Sequence, residues 1–573
     1  MSLFHKFTSR RNFLKAGGAI ALVGAGLLPA RAAPDRSRIA LVVGNNSYPR
    51  APLNNAINDA KAVGALLERA GFDVTLKTDV GRDALHQAAK EFGAMARDSE
   101  AREVFFYYAG HGAQMNWRNF LIPVDERIET AADLPAQCLE FGGLLNDLSK
   151  AKGKIFVLIL DACRDNPFGT GFQPAEKGLS QFDAPAGSLL AFSTSPGSVA
   201  VDSRTSDRNA VNGLYTGHLV RELSVQGSRL EDALKRVRLA VRVASNGVQV
   251  PWESTSLESD VFVFPAASSK LTEAELEAEF ANEIAVWNRI KASKQPEDWV
   301  AYLRDYPSGK FNEVAQNRLN YLLRAEEERR ALAQSLLVAP GQATPTVASS
   351  GEPAAGPRPQ LEIGPGLPLP LLMRPSPNPA SAGTYALNRR FSVGDEAVYA
   401  ESEPVFGAKQ PDRRLRVTRV DEDADRVEFN QGRIIKDMLG NAIKSNNNSF
   451  DPRIQQYPAE LQIGRKWTTR YRVTSEAAGN GRAAGQSATA YHDWRVVGRE
   501  RIRVPAGEFE AFRLEAEGWN MTQGVQLSIR TWVVPGLNFE LKYQVIRRPR
   551  NGIASSGELR EMISCKQMRW TQV

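Results

Sequence analysis

The sequence predicts a mostly parallel α/β sheet flanked by helices, followed by a small helical module and a C-terminal all-β domain. Three observations predict it. Residues 38–265 alternate continuous apolar runs with amphipathic stretches, the pattern of a sheet buried on both faces. Residues 271–335 place apolar side chains three and four apart. From Tyr385 onward the alternation has a period of two, as in half-buried antiparallel strands. A chain of 573 residues is also too long for one hydrophobic core.

In chain order, Arg38–Gly44 reads as a buried strand, Asn58–Ala70 as a helix ending at Gly71, Phe72–Leu76 as a strand and Arg82–Ala96 as a helix. Val104–Ala109, Ile155–Leu160 and Ser188–Ser193 are further buried strands. Within 271–335, Thr272 and Glu275 fit a capping box, and Leu276, Phe280, Ile284, Trp287 and Ile290 share one face. This part is read as a hairpin module loosely like a tetratricopeptide unit, or equally as a helical stalk packed on the first domain. Residues 340–379 hold eleven of the 32 prolines and no aromatic residue, so an extended, disordered linker is placed at 336–384. The all-β domain is placed at 385–573. Its Val504–Phe509 and Trp532–Gly536 stretches resemble a periplasmic β-domain family of unknown function.

The net charge of +7 is concentrated at the start. Residues 1–33 carry five Lys/Arg and no acid, and without them the balance is 67 against 65, which argues against a nucleic-acid partner. The same 33 residues read as an export signal. Arg10-Arg11 precedes an apolar run, Ala16–Leu28, that is short for a membrane span, and Ala30-Arg31-Ala32 offers a cleavage site. The expectation is twin-arginine export of a folded protein to the periplasm or beyond, with no transmembrane segment in the mature chain. Three cysteines (Cys138, Cys163, Cys565) exclude a disulfide scaffold, and no Cys/His spacing suits zinc.

Two strand ends carry the chemistry. One run ends Tyr107-Tyr108-Ala109-Gly110-His111-Gly112, and another ends Leu160-Asp161-Ala162-Cys163-Arg164-Asp165. In an open α/β sheet, crevices lie beyond the carboxyl ends of parallel strands. Were these two strands neighbours, the imidazole could take the thiol proton and make a nucleophile of Cys163. The glycines around His111 would allow a sharp turn there, and the amides of Gly112 and Cys163 could donate to an oxyanion. Taken singly, the cysteine reads as a core residue and the histidine as a turn residue. Together, 52 residues apart and in His-then-Cys order, they match the arrangement of caspases.

Residues 38–265 resemble the caspase-like peptidase domain of bacterial metacaspases (orthocaspases). The matching pieces are Ala40–Tyr48, Leu53–Ala60, Tyr107–Gly112, Leu160–Pro167, Ala191–Gly197 and Val250–Ser254, over about 40% of the chain. The resemblance implies a caspase–haemoglobinase fold and a cysteine endopeptidase acting on protein or peptide through a thioester. Cys163 would be the nucleophile and His111 the base, with Ser193 and Thr194 on the strand along which substrate extends. Asp161 and Asp59 would line the pocket for the residue before the scissile bond, favouring Arg or Lys over Asp. The alternative is a catalytically idle scaffold for envelope signalling, with the β domain as the main functional part. No cofactor is expected. Calcium, bound by some relatives, lacks its usual adjacent aspartates here, so Asp125 and Glu126 are read as solvated surface. Cys138 and Cys565 are read as structural or surface thiols. The β domain is expected to meet an envelope partner. Since every catalytic candidate precedes Pro265, residues 1–335 are expected to keep activity alone.

Overall fold

The computed structural model describes residues 35–98, 100–163, 179–195, 211–266, 273–323, 359–374, 376, 378–476, 485–521, 524–549 and 552–570. The leader at 1–33, the Arg164–Pro167 piece, the Pro196-Gly197 pair and Thr272 lie outside the described residues.

The first domain runs β1 (Asp35–Gly44), α1 (Ala56–Arg69), β2 (Phe72–Thr78), α2 (Arg82–Arg97), β3 (Glu103–Met115), β4 (Arg118–Leu121), α3 (Asp133–Gln137), β5 (Leu139–Glu140), α4 (Phe141–Ser149), β6 (Ile155–Cys163), β7 (Ser188–Phe192), α5 (Leu214–Leu223), α6 (Leu230–Ala244) and β8 (Trp252–Thr255). The main sheet has the order β2-β1-β3-β6-β7-β8, with every neighbouring pair parallel except β7–β8. Both of its faces are covered, which is why its strands read as unbroken apolar runs. Leu41, Val43, Phe106 and Leu158 pack on the α2/α4 side. Val42, Phe105, Tyr107 and Ile159 pack on the side of α1, α5 and α6. Each fully buried side chain of this kind contributes roughly 1.5–3 kcal/mol.

Two strands run further than the apolar pattern shows. β3 continues through His111 to Met115, where β4 turns back on it, and β6 continues to Cys163. The residues read at the strand ends, His111 and Cys163, therefore lie on paired backbone. Gly110 and Gly112 are not turn residues either. A Cβ at Gly110 would lie 2.6 Å from Tyr48 Oη, and one at Gly112 would lie 3.1 Å from Ala162 Cβ. Space, not a sharp bend, requires glycine at 110 and leaves little room for a side chain at 112.

The helical module comprises α7 (Glu273–Ile290), α8 (Pro296–Asp305) and a helix over 312–323. Trp287, Trp299, Tyr302 and Phe311 form its core, which also takes in Leu239 of α6. Lys235 Nζ donates to Ser308 Oγ at 2.7 Å and Arg242 Nη1 to Asn320 Oδ1 at 2.8 Å, so the module is packed on the first domain.

The C-terminal strands form a thirteen-stranded antiparallel sheet among the described residues. Strand Glu396–Glu403 pairs with both Ala408–Asp421 and Ser556–Gln567, which closes the sheet into a barrel. The last strand to join, β9 (Leu361–Ile363), pairs with Ser556–Gln567 and comes from within the stretch read as a linker. Leu361, Ile363, Leu372 and Met373 are buried in the barrel core. Part of the described chain within 359–384 is thus packed on the barrel, and β9 escaped notice because a three-residue strand among prolines has no periodicity to read. Arg501 and Arg503 are exposed on the outer wall of the barrel, beside the turn that follows Val504. No described helix is long and apolar enough to cross a membrane.

Candidate active site

β3 and β6 are parallel neighbours, and their last paired positions are His111 and Cys163. Adjacent strands lie about 5 Å apart, so the two residues are placed side by side by the sheet itself. His111 is 2% exposed. Its Nε2 lies 2.6 Å from the carbonyl oxygen of Ala51. A carbonyl only accepts, so Nε2 carries the proton and Nδ1 presents the lone pair a base needs. The Tyr48 ring lies against the imidazole, with centroids 4.3 Å apart.

Ala51 belongs to the loop between β1 and α1, and the polar residues of that loop hold it in place. Asn45 Oδ1 accepts from Val80 N at 3.0 Å, and Asn46 Oδ1 from Ile57 N at 3.0 Å. Asp79 accepts from the amides of Asn46 and Ser47 at 2.7 and 2.9 Å and from Ser47 Oγ at 2.6 Å. Burial pushes the Asp79 carboxyl up, but the bonds from Ser47 and Asn46 outweigh it and leave the pKa lowered. Tyr48 Oη accepts from His111 N at 2.9 Å and donates to Ile122 O at 3.0 Å. Tyr108 Oη donates to His111 O at 2.8 Å. The backbone of His111 is thereby gripped from both sides.

The same alternation aims the next amide. Ile122 N donates to His111 O at 3.1 Å, so His111 faces β4. Successive amides of a strand point to opposite edges, and Gly112 N–H therefore points toward β6.

Asp161 lies two positions before Cys163, paired with Ala109. Its Oδ2 accepts from Thr216 Oγ1 at 2.7 Å, and Tyr107 Oη lies 3.5 Å away. Asp59 of α1 is 4% exposed, and its Oδ1 accepts from Asn212 Nδ2 and Gly213 N, each at 2.9 Å. Both carboxylates thus sit at the first turn of α5, whose N-terminal amides favour negative charge. Burial first, then Asp161 and Asp59, push the Tyr107 phenol far above its ordinary value, so it stays neutral.

Ser193 and Thr194 follow β7 and are each 1% exposed. Ser193 N donates to Leu160 O at 3.0 Å, and its carbonyl accepts from Gln249 Nε2 at 2.8 Å. Both are inside the sheet edge, beside the strand of Asp161, and their side chains are not at a surface.

Cys138 and Cys565 are buried at 2% and 1%, which settles them as interior thiols. Burial pushes both well above the ordinary thiol range, further raised by Glu126 for Cys138 and by Asp395 for Cys565. Asp125 is exposed but occupied, accepting from Arg82 N at 2.7 Å in place of the side chain that Gly81 lacks at the start of α2. Glu126 departs from the expected solvated surface. It is 6% exposed and accepts from Ile128 N at 2.9 Å. Among the described residues there is no group of three or more His, Cys, Asp or Glu able to hold a metal.

Residues 37–262 match the family described as the caspase domain, peptidase C14. No curated protein matches the chain. Among solved structures, the Drosophila initiator caspase Dronc matches at 15% identity over 46% of this chain and 98% of that one, with a TM-score of 0.30.

Proposed function

Since residues 37–262 form a caspase-like peptidase domain, we propose that the chain is a cysteine endopeptidase with Cys163 as nucleophile and His111 as base. The observation that supports this reading most is the register that pairs His111 with Cys163, combined with the Ala51 carbonyl that sets the tautomer. His111 Nδ1 takes the thiol proton, and the thiolate attacks the substrate carbonyl. Gly112 N–H, pointing toward β6, and the amide of Cys163 donate to the developing oxyanion. The imidazolium then protonates the leaving amine, and water hydrolyses the thioester with His111 again as base. Cleavage follows arginine or lysine, the side chain meeting Asp161 and Asp59. Cys163→Ala should abolish turnover of arginyl fluorogenic peptides, and His111→Ala nearly so, with thermal unfolding of both variants unchanged. Full activity of Cys163→Ala, with Cys138 intact, would refute the assignment and leave the idle-scaffold alternative.

The protease works outside the cytoplasm in this reading, exported by the Arg10-Arg11 signal and cleaved near Ala32 or Ala33. Changing both arginines to lysine should hold the precursor in the cytoplasm on fractionation. Unaltered export of that variant would rule out the route.

A further inference from the structure

Side chains just fill a barrel of about eight strands, and wider ones enclose space. The wider barrel here is packed at one end by residues such as Val496, Leu514 and Val533. Along the same strands toward the other end, the interior opens into a cavity of about 850 Å³, within the range of sites that hold a small organic ligand. Its wall is mixed, with slightly more polar than apolar surface, and Phe450, Tyr471, Val473, Trp494, Leu527 and Ile529 supply the apolar part.

The charges in this cavity do not balance. The described residues lining it include four cations, Arg413, Lys436, Arg547 and Arg560, against two carboxylates, Glu540 and Glu558. Behind the wall, Glu401 adds a carboxylate 3.6 Å from Arg413, and Arg389, bonded to Leu439 O, adds a cation. Glu558 pairs with Arg413 at 3.3 Å and Arg560 at 3.0 Å, and Glu540 pairs with Arg560 at 3.1 Å. Arg547 and Lys436 make no ion pair among the described residues. Lys436 Nζ lies 5.6 Å from the Phe429 ring centroid. The surface that Lys436 exposes lines the cavity, and burial there lowers its pKa to about 8. Glu540 attracts Lys436 but is shared with Arg560 and Arg389, so positive charge stays in surplus there, and a buried surplus cation costs free energy that a bound anion would offset.

We propose that the barrel lumen binds an amphipathic anion, its carboxylate or phosphate head at Lys436 and its apolar body along Tyr471, Val473, Trp494 and Leu527. This site is independent of the peptidase reading.

The test uses the full-length protein and a dansylated undecanoic acid whose fluorescence rises on entering an apolar site. The probe should bind saturably. Palmitate or 1-palmitoyl-lysophosphatidate should displace it, the stronger of the two identifying the head group, and hexadecanol should compete at least tenfold more weakly. Lys436→Met should weaken the anions about tenfold and leave hexadecanol unchanged, while Val473→Trp, which fills the lumen, should weaken all three. A folded wild type that does not bind the probe would overturn the site. Hexadecanol competing as well as palmitate on wild type, a comparison that needs no variant, would overturn the anionic head.

Discussion

Asp161 accepts a hydrogen bond from Thr216 while standing two residues from the proposed nucleophile. A substrate guanidinium there would gain a charge partner shielded from water, and losing such a partner costs on the order of 2–5 kcal/mol. Asp161→Asn keeps the shape and can still accept from Thr216, so it should fold normally. It should turn over arginyl peptides roughly 30-fold more slowly or worse, at tenfold per 1.36 kcal/mol. Matched peptides ending in arginine, lysine and aspartate provide the measurement. An Asp161→Asn enzyme as fast as wild type, or a wild type preferring aspartate, would discard the pocket. The sequence showed the residues whose side chains do chemistry, because histidine and cysteine at strand ends are unusual enough to notice. It did not show Ala51, whose contribution is a backbone carbonyl and leaves no mark on residue type. Tyr48 and Tyr107 stood within the matching pieces without a role, since the partners that give them one, His111 N and Thr216, are 63 and 109 residues away.

Strands β3 and β6 show what a sequence pattern can and cannot locate. Their apolar starts were legible, but their ends were not, because pairing continues through Gly110, His111 and Asp161, which carry no apolar signal. In the barrel the period-two alternation was legible strand by strand, whereas the closure depends on Glu396–Glu403 meeting Ser556–Gln567 across more than 150 residues. Strand Ser487–Val504 sends His492 into that interior, where it is 3% exposed. Its Nε2 lies 3.5 Å from Tyr471 Oη, and the Trp494 ring packs near it. Burial lowers its pKa to about 4. The unfolded chain, with a histidine near 6.5, binds the proton that the fold excludes, so stability rises with pH across this window. The contribution is whole above pH 6.5 and is lost as pH falls toward 4, amounting to about 3 kcal/mol. His492→Gln should therefore show a shallower fall in melting temperature between pH 7 and 4.5 than wild type. Parallel pH profiles for the two proteins would show that His492 is not protonated on unfolding.

At the scale of the whole molecule, the barrel reaches back to the peptidase domain through residues 378–384. Asn378 Nδ2 donates to Gln181 O at 2.6 Å and Ser180 Oγ at 3.1 Å, and Ser381 Oγ donates to Asp183 Oδ1 at 2.7 Å. Gln181 Nε2 and Trp252 Nε1 both donate to Thr384 Oγ1, and Arg499 of the barrel fixes the strap through Ala382 O at 3.1 Å. What the strap holds is the segment 179–184, the first described stretch after Cys163. Leu179 lies against Gly112, within 3.1 Å of where its Cβ would be, and Ser180 N donates to Asn119 on β4 at 2.6 Å. The strap therefore bears on the strand pair that aims the proposed oxyanion donor. This replaces the expectation that residues 1–335 suffice. A chain ending at 335 should fold its central sheet but lose most activity on arginyl peptides, and proteolysis should cut it within 179–184. Asn378→Ala in the full chain separates this contact from the rest of the barrel. Asn378 is 9% exposed, and its removal should cost about 1–3 kcal/mol of local stability. Activity should fall in kcat/KM, with the barrel's own thermal transition unmoved. If the truncated chain and Asn378→Ala both match wild type in kcat/KM, the strap only tethers the two domains, and the peptidase site is organised entirely by its own sheet.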